Sequence, residues 1–386
     1  MHARKYFCPK GLIMGKTILF LFILVHGLIH FIGFVKGFNL AEIPAFSGKT
    51  LFPVSRAGTQ VLALFWLLAC LLFLLSATGL LFHREWWWIP AAMAIVLSQL
   101  LVIIYWPDAR VGTIANFILL PFVIIAGAGQ SFNSMVNNEV KAIGFYHAGN
   151  VHDTIRAESI ERLPYCVQKW LLSSGVVGKE NVHTLYLKQK GAMCTKPGGK
   201  WMPTGAEQYF NTDQPAFVWK ARVQMMPGLL LAGRDKFLDG KGNMLIKAGA
   251  LLTIVNASGE KTDQGTMLRY LGEMCWFPSA ALSPYIKWEE LGATEARATM
   301  TYKGMRVSGI YRFTPDGDFA SFSAQRYMDD KGKISLENWY IPASEWKEMD
   351  GIRIPVKGVV TWKLKTGDFD YYKWEITEMA HNRSLK

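Results

Sequence analysis

Four uncharged apolar runs fill the first third of the chain, at Thr17–Val35, Val61–Phe82, Trp86–Trp106 and Val111–Gly129. Each reaches the roughly 18–20 residues that a helix needs to cross the hydrocarbon of a bilayer. Lipid offers no hydrogen-bond partners, so uncharged runs of this length can satisfy their backbone there as helices. No such run occurs in the other two thirds. The expected architecture is therefore a four-span membrane α-helical bundle over residues 1–130, a polar linker over 131–162, and a soluble β-rich domain over 163–386.

Charge follows the same division. Up to Gln130 there are nine Lys or Arg against Glu42, Glu85 and Asp108, a net of +6, and the remainder carries the other +6 of the chain's +12. No Lys/Arg run or aromatic–basic interleaving marks a nucleic-acid surface, so the implied partner is the lipid bilayer and not nucleic acid. Arg4, Lys5, Lys10 and Lys16 crowd the first span. The positive-inside rule then predicts a multi-pass protein of the inner (plasma) membrane with its soluble domain on the cytoplasmic side. Lys36, Lys49 and Arg56, in the first loop, pull the opposite way. Trp86-Trp87-Trp88 and Tyr105-Trp106 bracket the third span as interfacial anchors.

The five cysteines, Cys8, Cys70, Cys166, Cys194 and Cys275, form no C-x-x-C. A thiolate zinc site has no support, and at most one bridge is possible among the last three.

Inside the first span, His26 and His30 stand four residues apart, on one helical face. Imidazoles at membrane depth must face a partner or a wet cavity. Two readings are open. One is a haem, metal or quinone site. The other is hydrogen bonding between helices, with Gln99 on the third span or Asn116 on the fourth as partners.

After Asn181 the pattern turns to strands. Thr184–Gln189, Ala216–Val223, Ala296–Tyr302, Met305–Phe313, Ala320–Tyr327, Ile354–Leu364 and Tyr371–Thr377 carry branched and aromatic residues. Asp239-Gly240, Asp316-Gly317, Asp330-Lys331-Gly332 and Gly367-Asp368 read as hairpin turns, without the acidic spacing of a calcium loop. Successive hairpins imply a mainly antiparallel curved sheet or half-barrel. One helix interrupts it: Lys261-Thr262-Asp263-Gln264 supplies capping chemistry, Met267, Leu268, Leu271, Met274 and Cys275 follow at helical spacing, and Trp276-Phe277-Pro278 ends the run. A helix laid across such a sheet either roofs an apolar cavity or completes a packed core.

Arg269 and Glu273 are four apart on that helix and should pair. Arg326 lies on a strand beside Tyr327. If Glu273 and Arg326 meet at a cavity mouth, then Arg269, Glu273, Trp276, Arg326 and Tyr327 make a candidate site for a polar headgroup and its apolar tail. A structural ion pair tying helix to sheet is the alternative.

Ala221-Arg222-Val223, Gly233-Arg234-Asp235-Lys236-Phe237, Gly240-Lys241-Gly242-Asn243-Met244, Leu268-Arg269-Tyr270-Leu271-Gly272-Glu273, Trp276-Phe277-Pro278 and Gln325-Arg326-Tyr327 resemble an uncharacterised bacterial family, a domain of unknown function commonly attached to the membrane by its N-terminus. The resemblance spans Leu163–Glu378, and E-x-x-W-F-P (Glu273 to Pro278) is its most specific element. It implies no activity. In architecture alone, the helical part is similar to small DoxX-like four-span proteins, and a curved sheet with an embedded helix is similar to LolA/LolB-type carriers. The second likeness implies an acyl chain or other apolar ligand.

Three functional classes follow: a membrane-tethered binding protein for a lipid or other apolar ligand; a redox or transport-associated protein working through His26 and His30; and a hydrolase or isomerase. No G-x-S-x-G, H-E-x-x-H, P-loop or dinucleotide fingerprint supports the last. His147, His152, His183 and His381 are isolated in sequence. The sequence names no cofactor.

Overall fold

The structure, a computed structural model, describes residues 10–147, 153–226, 229–330 and 332–382. Arg4, Lys5, Cys8, His152 and Lys331 lie outside these. The chain divides into two compact units, Met1–Asn133 and Ser134–Lys386.

The helices of the first part are α1 (Lys10–Gly37), α2 (Arg56–Leu81), α3 (Trp88–Ile104), the single turn α4 (Trp106–Ala109) and α5 (Gly112–Ala142). Met14–Gly37, Arg56–Leu81, Glu85–Ile104 and Gly112–Ala142 are each long and apolar enough to cross a membrane. Ile18, Leu64, Val96 and Phe117 are more than half exposed. Apolar side chains turned outward on every helix are what a lipid environment calls for. Small residues set the approach of α1 to α2. A Cβ on Gly33 would lie 2.4 Å from the Trp66 ring, and one on Gly37 would lie 2.5 Å from Ala63 Cβ. The polar stretch from Ser131 does not end the last helix, which runs on to Ala142.

The second unit holds α6 (Tyr165–Ser174), α7 (Glu260–Glu273) and thirteen strands. The first six are β1 (Thr184–Met193), β2 (Met202–Asn211), β3 (Ala216–Met226), β4 (Leu229–Leu238), β5 (Lys241–Ala248) and β6 (Leu252–Ser258). After α7 come β7 (Ile286–Gly292), β8 (Glu295–Tyr302), β9 (Met305–Phe313), β10 (Phe319–Asp330), β11 (Lys333–Met349), β12 (Ile352–Leu364) and β13 (Gly367–His381). They form one open sheet in the order β6-β5-β4-β3-β2-β1-β13-β12-β11-β10-β9-β8-β7. Every neighbouring pair is antiparallel.

One topological fact organises this unit. The chain meanders from β1 to one edge at β6, crosses once through α7, restarts at the other edge with β7, and meanders back until β13 pairs with β1. Tight hairpins make this possible where two successive residues accept positive φ. Asp239-Gly240 (51° and 75°), Lys303-Gly304 (49° and 79°) and Asp350-Gly351 (49° and 81°) do so.

The sheet curls around α7, which touches strands from both arms, β4 to β6 on one side and β9 and β10 on the other. Its apolar face, Met267, Leu268, Leu271 and Met274, is fully buried among Phe210, Phe217, Phe237, Tyr311 and Phe322. Between α7 and the sheet, then, the interior is a packed core. The capping chemistry read at Lys261–Gln264 is not used as such. Gly259 precedes the first turn with no side-chain cap, and the Asp263 carboxylate instead accepts from Gly242 N at 2.7 Å and Lys241 Nζ at 2.9 Å. The helix start is held by the neighbouring hairpin. Cys70, Cys166, Cys194 and Cys275 are free and buried.

Two glycines shape the seat of Phe322. A Cβ on Gly272 of α7 would stand 2.8 Å from that ring, and one on Gly309 of β9 would stand 2.1 Å from it. With Tyr311 and Trp339 packed on its other sides, the ring has no room to swing. Gly309→Ala is expected to cost about 1–3 kcal/mol by overpacking. A lowered thermal midpoint of the detergent-solubilised chain, followed by tryptophan fluorescence, is the readout.

Candidate functional site

The polar residues of the apolar helices gather in a hydrogen-bond network. His30 Nδ1 donates to the His26 carbonyl at 2.7 Å, one turn back. Its Nε2 therefore accepts from the Ser98 hydroxyl at 2.7 Å. The Asn116 amide nitrogen donates to Ser98 Oγ at 3.0 Å and to Gln99 Oε1 at 3.1 Å, while Asn116 Oδ1 accepts from His26 Nε2 at 3.0 Å. Gln99 Nε2 reaches Thr113 Oγ1 at 3.1 Å. These assignments follow from the network, since the His26 carbonyl can only accept, which fixes the His30 tautomer and turns the Ser98 hydroxyl proton toward Nε2. His30 is left with no ring lone pair for a metal. Phe73 and Trp66 close the cluster with rings 5.1 and 5.3 Å from His30. The arrangement ties α1, α3 and α5 together. Sequence reasoning missed Ser98, whose only signal was its place beside Gln99.

In the second unit the predicted residues separate. Arg269 Nε donates to Glu273 Oε1 at 2.8 Å, and its Nη1 donates to Asp235 Oδ2 on β4 at 2.7 Å. Gln208 on β2 donates to Glu273 Oε2 at 2.7 Å. The guanidinium lies 4.8 Å from the Trp219 ring and 5.1 Å from Phe217. Gln189 on β1 extends the network, donating to Gln208 Oε1 at 3.2 Å and accepting from Trp219 Nε1 and the Tyr372 hydroxyl. Burial raises the Glu273 carboxyl above its usual range, against the pull of Arg269 and Gln208. Burial acts to lower Arg269, but Glu273 and Asp235 outweigh it and hold the guanidinium above its ordinary value.

Arg326 does not meet Glu273. Both hydrogen-bonding oxygens of Glu273 are taken on its own side of the helix, and Arg326 turns onto the rings of β11 and β12. Its guanidinium carbon lies 4.5 Å from the Trp339 ring and 5.9 Å from Trp362. Nη1 is 3.5 Å from the Tyr371 hydroxyl, which also accepts from Trp339 Nε1 at 2.8 Å. Glu337 is its register partner across β10 and β11. Yet no carboxylate stands within ion-pair distance of Arg326 among the described residues. Its Nε is buried without a partner, as is Gln264 Oε1 on α7. A side chain at Gly265 would press on that Nε, at 3.2 Å. Trp276 is core: its Nε1 donates to the Pro355 carbonyl at 3.2 Å, and its ring packs on Trp374. Tyr327, one residue from Arg326 and so on the opposite face of β10, is exposed beneath the Lys261 ammonium.

His183, isolated in sequence, is not isolated in space. Its Nδ1 is 2.7 Å from Asp213 and its Nε2 is 2.8 Å from Asp153. Burial acts to lower it, but the two carboxylates lift the ring above its ordinary value. A cleft of about 270 Å³ beside it is lined by Asn181, Asp213, Ser279 and Tyr285. Those polar walls do not suit an apolar ligand.

Fold and geometry define a class: an antiparallel half-barrel wrapped around one helix, on a chain with four membrane-length helices. Residues 153–374, more than half of the chain, match a family of unknown function, DUF6544, and the chain belongs to that family. The match does not include the four helices, and the likeness to DoxX-like proteins expected of them is not shown. No curated protein matches. Among solved structures, the chain is similar to a DUF1329 family protein from Desulfovibrio piger ATCC 29098. That overlap has 12% identity and a TM-score of 0.31, and covers 57% of this chain and 93% of the other. It is also similar to a domain from Vibrio parahaemolyticus assigned to outer membrane lipoprotein sorting. There the identity is 7% and the TM-score 0.27, with 53% and 87% covered. Overlaps at these scores carry no functional argument.

Asn116→Leu removes three hydrogen bonds from the membrane cluster at once. It is expected to lower the unfolding free energy of the helical unit by about 1–2 kcal/mol in mixed micelles. An unchanged value contradicts the tie.

Proposed function

We propose that the protein is a membrane-tethered binding protein whose β-rich domain holds a lipid or other apolar ligand near the bilayer. In this reading residues 1–130 anchor the chain in the inner membrane, 131–162 link, and 163–386 bind, on the cytoplasmic side. The observation that carries it is Arg326, a partly buried cation on a tryptophan wall with no carboxylate paired to it among the described residues. Unpaired buried charge is costly, so a position of this kind is completed by an anion from outside. Arg269 and Glu273, which neutralise one another, are then framework and not headgroup ligands.

Register supplies an apolar side. Phe237 and Asp235 face α7, so Gly233, Leu231 and Leu229 share that face of β4, with Ile246 and Ala248 beside them on β5. Leu229, Leu231, Ile246 and Ala248 are only half-buried. An amphiphile with an anionic headgroup at Arg326 and a tail along the concave face fits both features.

Organic extraction of the purified full chain, read by mass spectrometry, is expected to yield a stoichiometric anionic amphiphile. Arg326→Gln should retain about tenfold less, the loss of one charge-assisted contact. A clean extract from the unsubstituted chain contradicts the proposal.

A further inference from the structure

From β6 across to β12 the connections at the two ends of the strands differ in chemistry; beyond them, the β10–β11 connection at the basic end carries Asp330. Segments 194–202, 222–226, 246–255 and 363–367 contain Lys196, Lys200, Arg222, Lys247, Lys363 and Lys365 and no Asp or Glu. The turns at the opposite ends, between β2 and β3, β4 and β5, and β11 and β12, hold Asp213, Asp239 and Asp350. Register brings the four basic segments side by side. Met193 pairs with Met202 and with Tyr372, Thr204 with Val223, Val223 with Leu231, Leu231 with Ala248, and Ala248 with Leu252. The Lys373 ammonium, 4.4 Å over the Trp201 ring, joins the β1–β2 connection to β13.

Bulky aliphatic side chains stand out of the same tips. Met225 is 44% exposed, Met226 51%, Leu251 45%, Leu252 67% and Ile254 57%. Lys196, Lys200 and Lys365 are exposed beside them, and none has a carboxylate within ion-pair distance among the described residues. Among the described residues, Lys363 alone of these cations is paired, with Asp368. Exposed aliphatic tips beside Lys196, Lys200 and Lys365, with Asp368 the one acid and already taken by Lys363 among the described residues, match the two layers of an anionic bilayer surface: acyl boundary and phosphate. A chain that also carries four membrane-length helices keeps this domain at high effective concentration near lipid.

We infer that this end of the sheet, from the β5–β6 tip to the β12–β13 tip, docks on an anionic lipid surface. The tips enter the acyl boundary and the lysines meet lipid phosphates. The surface shares no residue with the Arg326 position, and its contact with lipid can be measured whether or not a ligand is bound.

Hydrogen exchange of the full chain in nanodiscs tests this. Amides of residues 222–226 and 249–254 are expected to exchange about tenfold more slowly in discs containing phosphatidylglycerol than in pure phosphatidylcholine. The turn at 314–318 should exchange equally in both. The double substitution Lys196→Ser with Lys200→Ser should shrink the difference, and raised salt should do the same. Equal exchange at the tips in both discs overturns the inference. So does protection that appears only when an acidic polypeptide such as polyglutamate is added, which would mark a protein partner. Leu252→Ser, altering one exposed side chain, should weaken protection while leaving the thermal midpoint in place.

Discussion

Burying the Arg269 guanidinium between Trp219 and Phe217 is the constraint that the second unit is built around. A charge taken out of water must be met on all sides, and Asp235 from β4, Glu273 from α7 itself and Gln208 from β2 meet it. Only one setting of α7 against the early strands brings these groups together. The network therefore fixes the register of the one helix that joins the two edges of the sheet. Once α7 is set, its apolar face decides where Phe210, Phe237, Tyr311 and Phe322 pack, and both arms close on the same core.

The two units follow a common rule. In the helical unit, His26, His30, Ser98, Gln99 and Asn116 satisfy one another because the apolar side chains around them offer nothing else. In the β domain, Arg269, Asp235 and Glu273 do so with charge. Arg326 departs from the rule. It is placed by Trp339, Trp362 and the absence of a side chain at Gly265, and its electrostatic demand is left open.

Much of this was legible in the sequence where the cause is local. The four long apolar helices are set by hydrophobic length. β9, Met305–Phe313, carries its own alternation, α7 its i, i+4 pattern, and Asp239-Gly240 its turn chemistry. β5, β6, β7 and β11 were not visible, because their faces are half-exposed and Lys, Glu, Asn and Ser interrupt the alternation. β2 was hidden by Pro203 and Gly205 despite its alternating burial. The role of Asp263 was misread because the group it holds, Gly242 N, lies a hairpin away. The pairing of Glu273 failed for the same reason: spacing along α7 identifies Arg269, but no local signal tells which strand Arg326 will face. His183 looked isolated with its carboxylates thirty residues away on either side.

Glu273→Gln in the full chain separates framework from binding site most directly. Removing one charge-assisted bond from the Arg269 network should lower the stability of the β domain by about 1–3 kcal/mol while the co-purified lipid stays at the unsubstituted level. An unchanged thermal midpoint together with loss of the lipid would contradict the assignment of this network to the framework.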